Sequence, residues 1–322
     1  MENYITVTGS PDKPETWIYK NESGIYIRRA EFTGRKPGTA PIKILHFTDV
    51  HLNCTNAEDE KNEEIMYTKK FRHWNENAAS VKALVKAMDY AENFDKTVIT
   101  GDVLDFMSYG AMELMDKYIW ERDPNITVTL GNHEYVRQME TDRQDATPLE
   151  SRLEILKKFW RHDMFYTSEV LGDKVMIINL DNSLERYWDF QAEKLKKDIE
   201  RAKREKLIIL IFQHEAISTG KPEDACVKAL ITCDGAQDDF YNIAGSPKNT
   251  DSATAAVYEL ITKNADVIKG LFCGHYHSGY YTEVKAEFSD ENGTHDAVIP
   301  QYIEEGLVYN DYAGHVMEIT VK

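Results

Sequence analysis

Ten side chains able to bind metal or move protons fall in five short motifs: Asp49 and His51 in TDVH, Asp102 and Asp105 in GDVLD, Asn132, His133 and Glu134 in GNHE, His214 in QHE, and His275 and His277 in GHYH. In an extended loop, side chains two apart point the same way, so His275 with His277, and Asp49 with His51, can each face one point. Imidazole with carboxylate suits Fe, Mn or Zn better than Ca or Mg. A tetrahedral zinc site takes three or four ligands, whereas Asp49, His51, Asp102, Asn132, His214, His275 and His277 make seven. Two ions that share a bridging carboxylate use all seven. Two ions about 3.5–4 Å apart stabilise the attacking and leaving oxygens of a phosphoryl transfer. Each residue also has a plainer reading: solvated loop histidines at 275 and 277, strand-end solvation at 49 and 51, a turn acid at 102, a helix cap at 132. The complete set outweighs them.

These motifs need elements that bring them together, and the chain supplies an alternation of strands and helices. Strands are predicted over 42–47, 96–100, 126–130, 174–180, 206–212 and 267–273, and helices over about 75–92, 106–120, 149–161, 188–204 and 252–263, from apolar runs and from spacing such as Val81, Leu84, Val85 and Met88. Such alternation argues an α/β fold with largely parallel central strands. Each motif directly follows one of these strands, and open α/β sheets gather ligands at the carboxyl ends of their strands. The ends of the chain read as antiparallel: 24–32, then 280–288, a turn at Asn292-Gly293, 297–305 and 315–322. They are taken as a flanking sheet of one domain spanning 1–322, with residues 1–40 as an extension carrying strands. Two stretches, 53–73 and 215–250, lack periodicity and read as loops. The second starts beyond a strand end and is placed to cover a site, although a solvated loop explains it equally well.

Composition narrows the function. The net charge of −17 disfavours a long nucleic acid, which needs a basic surface to displace counterions, and with it a nuclease. A small anionic substrate held by metal cations remains. Hydrophobic residues at 42% fit a globular chain. No apolar run approaches the roughly 18 residues of a membrane span, and the N-terminus shows no basic start with an apolar core. Cys54, Cys226, Cys233 and Cys273 form no CxxC pair, which suits a cytoplasmic location. Outside the motifs, His46 reads as a packed core residue, and His73, His162, His295 and His315 as surface or structural. Glu134 reads as a local cap or pair, Tyr276 as packing or lining, and Asn182 as a weak candidate for substrate contact.

DxH, GDxxD, GNHE, a lone strand-end His and GHxH, in that order from Asp49 to His277, resemble the calcineurin-like metallophosphoesterase superfamily. The resemblance implies a four-layer α/β/β/α sandwich with a dinuclear centre of two divalent or trivalent ions (Mn, Fe or Zn). It implies that Asp49, His51 and His277 bind the first ion, that Asp102 bridges, and that Asn132, His214 and His275 bind the second. His133 would be the acid near the leaving group, and Asp105 the residue that orients it. The expected reaction is hydrolysis of a small phosphomonoester or phosphodiester by a hydroxide bridging the ions. Phe106 and Met107 stand where the protein phosphatase branch has Arg-Gly, and Asp105 where purple acid phosphatases have Tyr, so the spacing is nearer the phosphodiesterase-like branch. A non-catalytic protein-binding scaffold on the same fold is the alternative, though such a chain ought to have lost ligands.

Overall fold

The computed structural model describes residues 5–10, 13–36, 38, 40–73, 75–136, 148–184, 186–217, 251–277, 279–308 and 314–322. Among these residues, thirteen strands form two mixed sheets. The first has the order β1 (Ile5–Ser10), β2 (Lys13–Lys20), β3 (Tyr26–Phe32), β13 (His315–Val321), β4 (Ile42–Phe47), β5 (Lys96–Thr100) and β6 (Thr127–Thr129). The second runs β11 (Tyr280–Asp290), β12 (Gly293–Ile303), β10 (Ile268–Cys273), β9 (Ile208–Gln213), β8 (Val175–Leu180) and β7 (Tyr166–Leu171).

The strand sequences explain the layering. In β9, Ile208, Leu210 and Phe212 face a core shared with Ile44, Val98, Met317 and Ile319 of the first sheet. The alternate residues Ile209 and Ile211 face α5 (Asp189–Glu205) and α6 (Ser252–Thr262), where Leu195, Ile199, Val257 and Ile261 receive them. The other face of the first sheet, including Leu45, Phe47 and Ile99, packs on α2 (Asn77–Ala91) and α3 (Tyr109–Met115). Because strand side chains alternate in direction, a strand buried on both faces must be apolar throughout. The result is the expected α/β/β/α sandwich.

Several expectations need correction. The strands at the chain ends do not form a flanking sheet: β13 inserts between β3 (parallel) and β4 (antiparallel), and the β11–β12 hairpin extends the second sheet through a parallel β10–β12 pairing. The segment read as a loop at 53–73 contains α1 (Glu63–Phe71), whose Asn62 side chain accepts from the Glu64 and Ile65 N–H groups. Only Ile65 and Thr68 of this helix are buried, so no apolar period marks it. The helix predicted at 106–120 starts later, where the Ser108 hydroxyl accepts from the Ala111 N–H, and its last turn widens over Asp116–Trp120. The 149–161 helix is shorter, α4 (Leu149–Leu156). The edge strand β7 carries no strong pattern and was not expected, and the strands expected within residues 1–40 include a β1–β2 hairpin. The stretch expected to cover the site falls, at 218–250, outside the described residues. Among the described residues, no helix is long and apolar enough to cross a membrane.

Candidate metal centre

All five motifs sit at carboxyl ends of strands: residues 48–52 after β4, 101–105 after β5, 131–135 after β6, His214 after β9 and 274–277 after β10. The strand order puts β4, β5 and β6 side by side in one sheet and β9 and β10 side by side in the other. The two rims therefore meet along one seam. Residues beyond β4 and β5 stay tied: Asp49 N–H donates to the Gly101 carbonyl at 3.1 Å, His51 N–H to Asp102 at 2.9 Å and Leu52 N–H to Val103 at 2.7 Å.

Three groups of donor atoms converge there, His51 with Asp105 and His133 being one and the other two holding the candidate ligands. Of these two, the first holds Asp49, His51, Asp102 and His277, and the second Asp102, His214 and His275, each within 4.8 Å of one another. Asn132 joins the second, its Oδ1 lying 3.1 Å from both His214 Nε2 and His275 Nδ1. All seven candidate ligands are thus brought together, in two sets that share Asp102.

The hydrogen bonds fix which atoms face inward. A backbone carbonyl can only accept, so His214 Nδ1 donates to Thr100 O at 2.7 Å and its Nε2 is left with a lone pair. That lone pair faces Asp102 Oδ2 at 3.3 Å, Asn132 Oδ1 and, at 3.2 Å, His275 Nδ1. Likewise, His51 Nδ1 donates to Asp105 Oδ1 at 3.2 Å, which turns Nε2 toward Asp49 Oδ1 at 3.7 Å, Asp102 Oδ2 at 3.9 Å and His277 Nε2 at 3.0 Å. Asp49 Oδ1 is buried without a well-aligned hydrogen bond, and His277 Nε2 lies 2.9 Å from it. Electron pairs pointed at electron pairs in a buried space demand positive charge. The donor set fits a pair of metal ions.

Electrostatics say the same. Burial opposes charge on His51, but the hydrogen bond to Asp105 and the nearby carboxylates of Asp49 and Asp102 outweigh it and lift its pKa to about 10. His214 is likewise raised to about 10, against burial, mainly by Asp102. Asp49 and Asp102 are held below the usual carboxylate range by the imidazoles around them, again against burial. Burial, reinforced by the His214 charge, pushes His275 down to about 3.

Close approach builds the floor. A Cβ on Gly131 would sit 2.2 Å from Asp102 Oδ1, and one on Gly274 would sit 2.0 Å from Thr48 Oγ1 and 2.4 Å from Asp49 Oδ2. Thr48 Oγ1 donates to Asp49 Oδ2 at 2.7 Å, and His275 N–H donates to the same oxygen at 3.0 Å.

His133 lies beside the ligand cage, its Nε2 3.9 Å from Asp102 Oδ2. Burial pulls its pKa down to about 4 although Asp102 works against this. Its Nδ1 donates to the backbone carbonyl of Asp105 at 2.7 Å, while the Asp105 carboxylate is 3.7 Å away and engaged with His51. Residue 105 thus meets His133 most closely through its main chain.

Several residues have roles that the sequence did not reveal. Glu134 accepts from the Gly131 and Asp102 N–H groups on Oε2, at 2.6 and 2.9 Å, and from Leu104 on Oε1 at 2.8 Å, so it locks the GDVLD loop to the GNHE loop. A Glu three residues after a glycine-ended strand was its one signal. Arg72 and Asn53 bind the Asp105 carboxylate, and nothing in their charged stretch marked them. His46 is core as expected, its Nε2 2.8 Å from Thr100 Oγ1. Tyr276 packs edge-on against His275. Asn182 does not reach the centre: its amide holds the Glu215 main chain through bonds of 2.8 and 3.0 Å. Among the described cysteines, Cys54 and Cys273 are free, and neither joins the cage.

A carboxylate shared by two nitrogen-rich donor sets is the arrangement of a two-metal hydrolytic centre. Residues 42–279 match the calcineurin-like phosphoesterase family, and the chain belongs to it. Family and donor set together indicate a dinuclear site for divalent metal. No curated protein matches the sequence. Among solved structures, the chain is similar to the purple acid phosphatase PPD1 from yellow lupin (Lupinus luteus) seeds, at 12% identity and a TM-score of 0.45, over 94% of this chain and 48% of that one. It is also similar to the calcineurin-like phosphoesterase YfkN from Bacillus subtilis, at 16% identity and a TM-score of 0.37, over 84% and 82%. The chain spans about half the length of the lupin enzyme.

Proposed function

We propose that the chain hydrolyses a small phosphate ester with two transition-metal ions held by Asp49, His51, Asp102 and His277 on one side and Asp102, Asn132, His214 and His275 on the other. The observation that carries this reading is the convergence of buried lone pairs in two sets sharing Asp102. When bound, such ions supply a hydroxide nucleophile near neutral pH and neutralise charge on the phosphate oxygens. The chain's own part is positioning. Fixed tautomers at His51 and His214 keep Nε2 turned inward, and Asp102 holds the two sets at one spacing. His133, with Nδ1 tied to the Asp105 carbonyl, presents Nε2 beside the cage as the group that hands a proton to the leaving oxygen. The cage consumes its carboxylates on cations, so an anionic substrate meets a neutralised surface despite the net charge of −17.

The test is a substrate panel with Mn(II) or Zn(II) added back: aryl monoester, aryl diester, cyclic nucleotides, nucleotides and phospholipid headgroups. Turnover of at least one class, abolished in Asp102→Ala with the fold retained by circular dichroism, is the expected result. No turnover of any class by a chain carrying two ions per molecule would reject the enzyme reading in favour of a binding scaffold.

A further inference from the structure

We infer that Arg72, a residue outside all five motifs, is a positioning residue for His51 and acts through Asp105. This rests on the two-metal reading and deepens it. Arg72 directly follows α1, and its Nε lies 3.0 and 3.1 Å from the two oxygens of Asp105, while its terminal nitrogen also bonds Oδ1. Asn53 Nδ2 donates to Asp105 Oδ2 at 2.7 Å. His51 Nδ1 then takes the remaining approach to Oδ1. A carboxylate buried completely would otherwise be an unpaired charge, free to rotate and to draw in whichever donor was nearest. The guanidinium fork fixes its plane, as a point charge could not.

The clamp is itself held. Asn53 Nδ2 also donates to the Arg72 carbonyl at 3.0 Å, and Arg72 N–H donates to Thr68 O at 2.8 Å. Lys69 Nζ donates to Asn53 O and Oδ1 at 2.7 and 2.6 Å. The end of α1 and the residue two beyond His51 thus form one block around Asp105. The consequence is chemical. With the carboxylate fixed, His51 carries its proton on Nδ1, and Nε2 offers its lone pair to the cage. Partners that hold the outer nitrogen of a metal-binding histidine typically contribute about 10–100-fold to metal affinity or activity. The same residue 105 hydrogen-bonds His133 through its backbone carbonyl, with its carboxylate 3.7 Å from that ring. Loss of Arg72 should therefore loosen His51 and leave His133 in place.

The experiment challenges the full chain, loaded with Mn(II), with graded chelator and reads the release of each ion. The wild type should release two ions in separable steps. Arg72→Met should weaken one site about 10–100-fold and leave the other unchanged, and Arg72→Lys should recover part of the loss. Asp105→Asn, which keeps the side-chain volume, should weaken the same site, and decides the matter alone if Arg72→Met fails to fold. Nitrogen NMR of the histidines in the chain loaded with diamagnetic Zn(II) supplies a readout that a merely structural role would not move: His51 should change from a single Nδ1–H tautomer to a mixture, with His133 keeping its Nδ1–H. A wild type that binds two ions while the variants hold both equally overturns the role of Arg72 alone. A wild type that binds fewer than two ions overturns the two-metal reading itself.

Discussion

Gly131→Ala isolates the effect of geometry at the shared carboxylate. The backbone at Gly131 is extended (φ −116°, ψ 176°), which alanine adopts without strain, so any effect comes from the added methyl group. That Cβ would lie 2.2 Å from Asp102 Oδ1 and 2.3 Å from Asp102 N. Ordinary contact begins near 3.4 Å, so the two loops must part by about 1.2 Å. A change of rotamer at Asp102 cannot provide this, because the clash is also with its main-chain nitrogen, itself tied to Glu134 at 2.9 Å. Misplacement of a catalytic group by 1 Å costs about 10²-fold in rate, and overpacking costs about 1–3 kcal/mol of stability. The variant should therefore stay folded, bind metal less tightly and turn over an aryl phosphate at least about 100-fold more slowly. Gly279→Ala is the control, since its Cβ would meet nothing nearer than Arg28 at 3.4 Å. Near wild-type turnover and two retained ions in Gly131→Ala would refute the claim that Asp102 must stay where it is.

Two further outcomes follow from the geometry. His133→Asn should keep both ions yet slow alkyl esters by about 10²–10⁴-fold, and nitrophenyl esters much less, because their leaving group hardly needs a proton; an emptied metal site would make His133 a ligand instead. Burial, helped by Glu305, raises the Glu304 pKa to about 7 from an ordinary 4.5, against the pull of Arg28 3.3 Å away. A raised folded-state pKa means the native chain keeps a proton that the unfolded chain has released. The stability this supplies is complete below about pH 4.5 and is lost as pH rises through about 7. Urea unfolding between pH 5 and 8 should show Glu304→Gln gaining on the wild type by on the order of 3 kcal/mol across that window. Parallel pH profiles would show that Arg28 keeps Glu304 ionised throughout.

The donor set was legible because each member follows a short buried strand. Ile208 to Phe212 is apolar without a break, and the change to Gln213 and His214 is abrupt. The layering was legible only through the family resemblance, since an apolar run does not say which sheet it joins. β13 pairs with β3 and β4 across most of the sequence, and no local pattern encodes a partner that far away. The helix α1 escaped notice because it leans on the site with polar groups, Lys69 and Arg72 at its end, rather than with an apolar stripe. The supports of the cage were invisible for the same reason. Glu134, Asn53 and Arg72 act through hydrogen bonds to loops, and a hydrogen-bonding residue in a charged segment looks like any solvated one.

The cage also shows how one turn, used repeatedly, makes a metal site. Asp49, Asp102 and His275 each stand two residues beyond the end of their strands, at Phe47, Thr100 and Cys273, and each has left-handed backbone, with φ of 54°, 49° and 72°. His51 and His277 stand four residues beyond theirs, both at φ 50°. A left-handed residue at the same offset reverses the chain at the rim and leaves two side chains, two apart, looking back across it. None of these is glycine, so each conformation costs about 1–2 kcal/mol. Five of them together demand about 5–10 kcal/mol, comparable with the net stability of a typical domain. The fold can sustain this because the strained loops continue the ladder of β4 with β5 and because both sheets are packed on both faces. Strain held this way does not relax when a ligand side chain is trimmed. Under the two-metal reading, backbone held this way limits how far the donors move to meet a cation, and little binding energy is used to gather them.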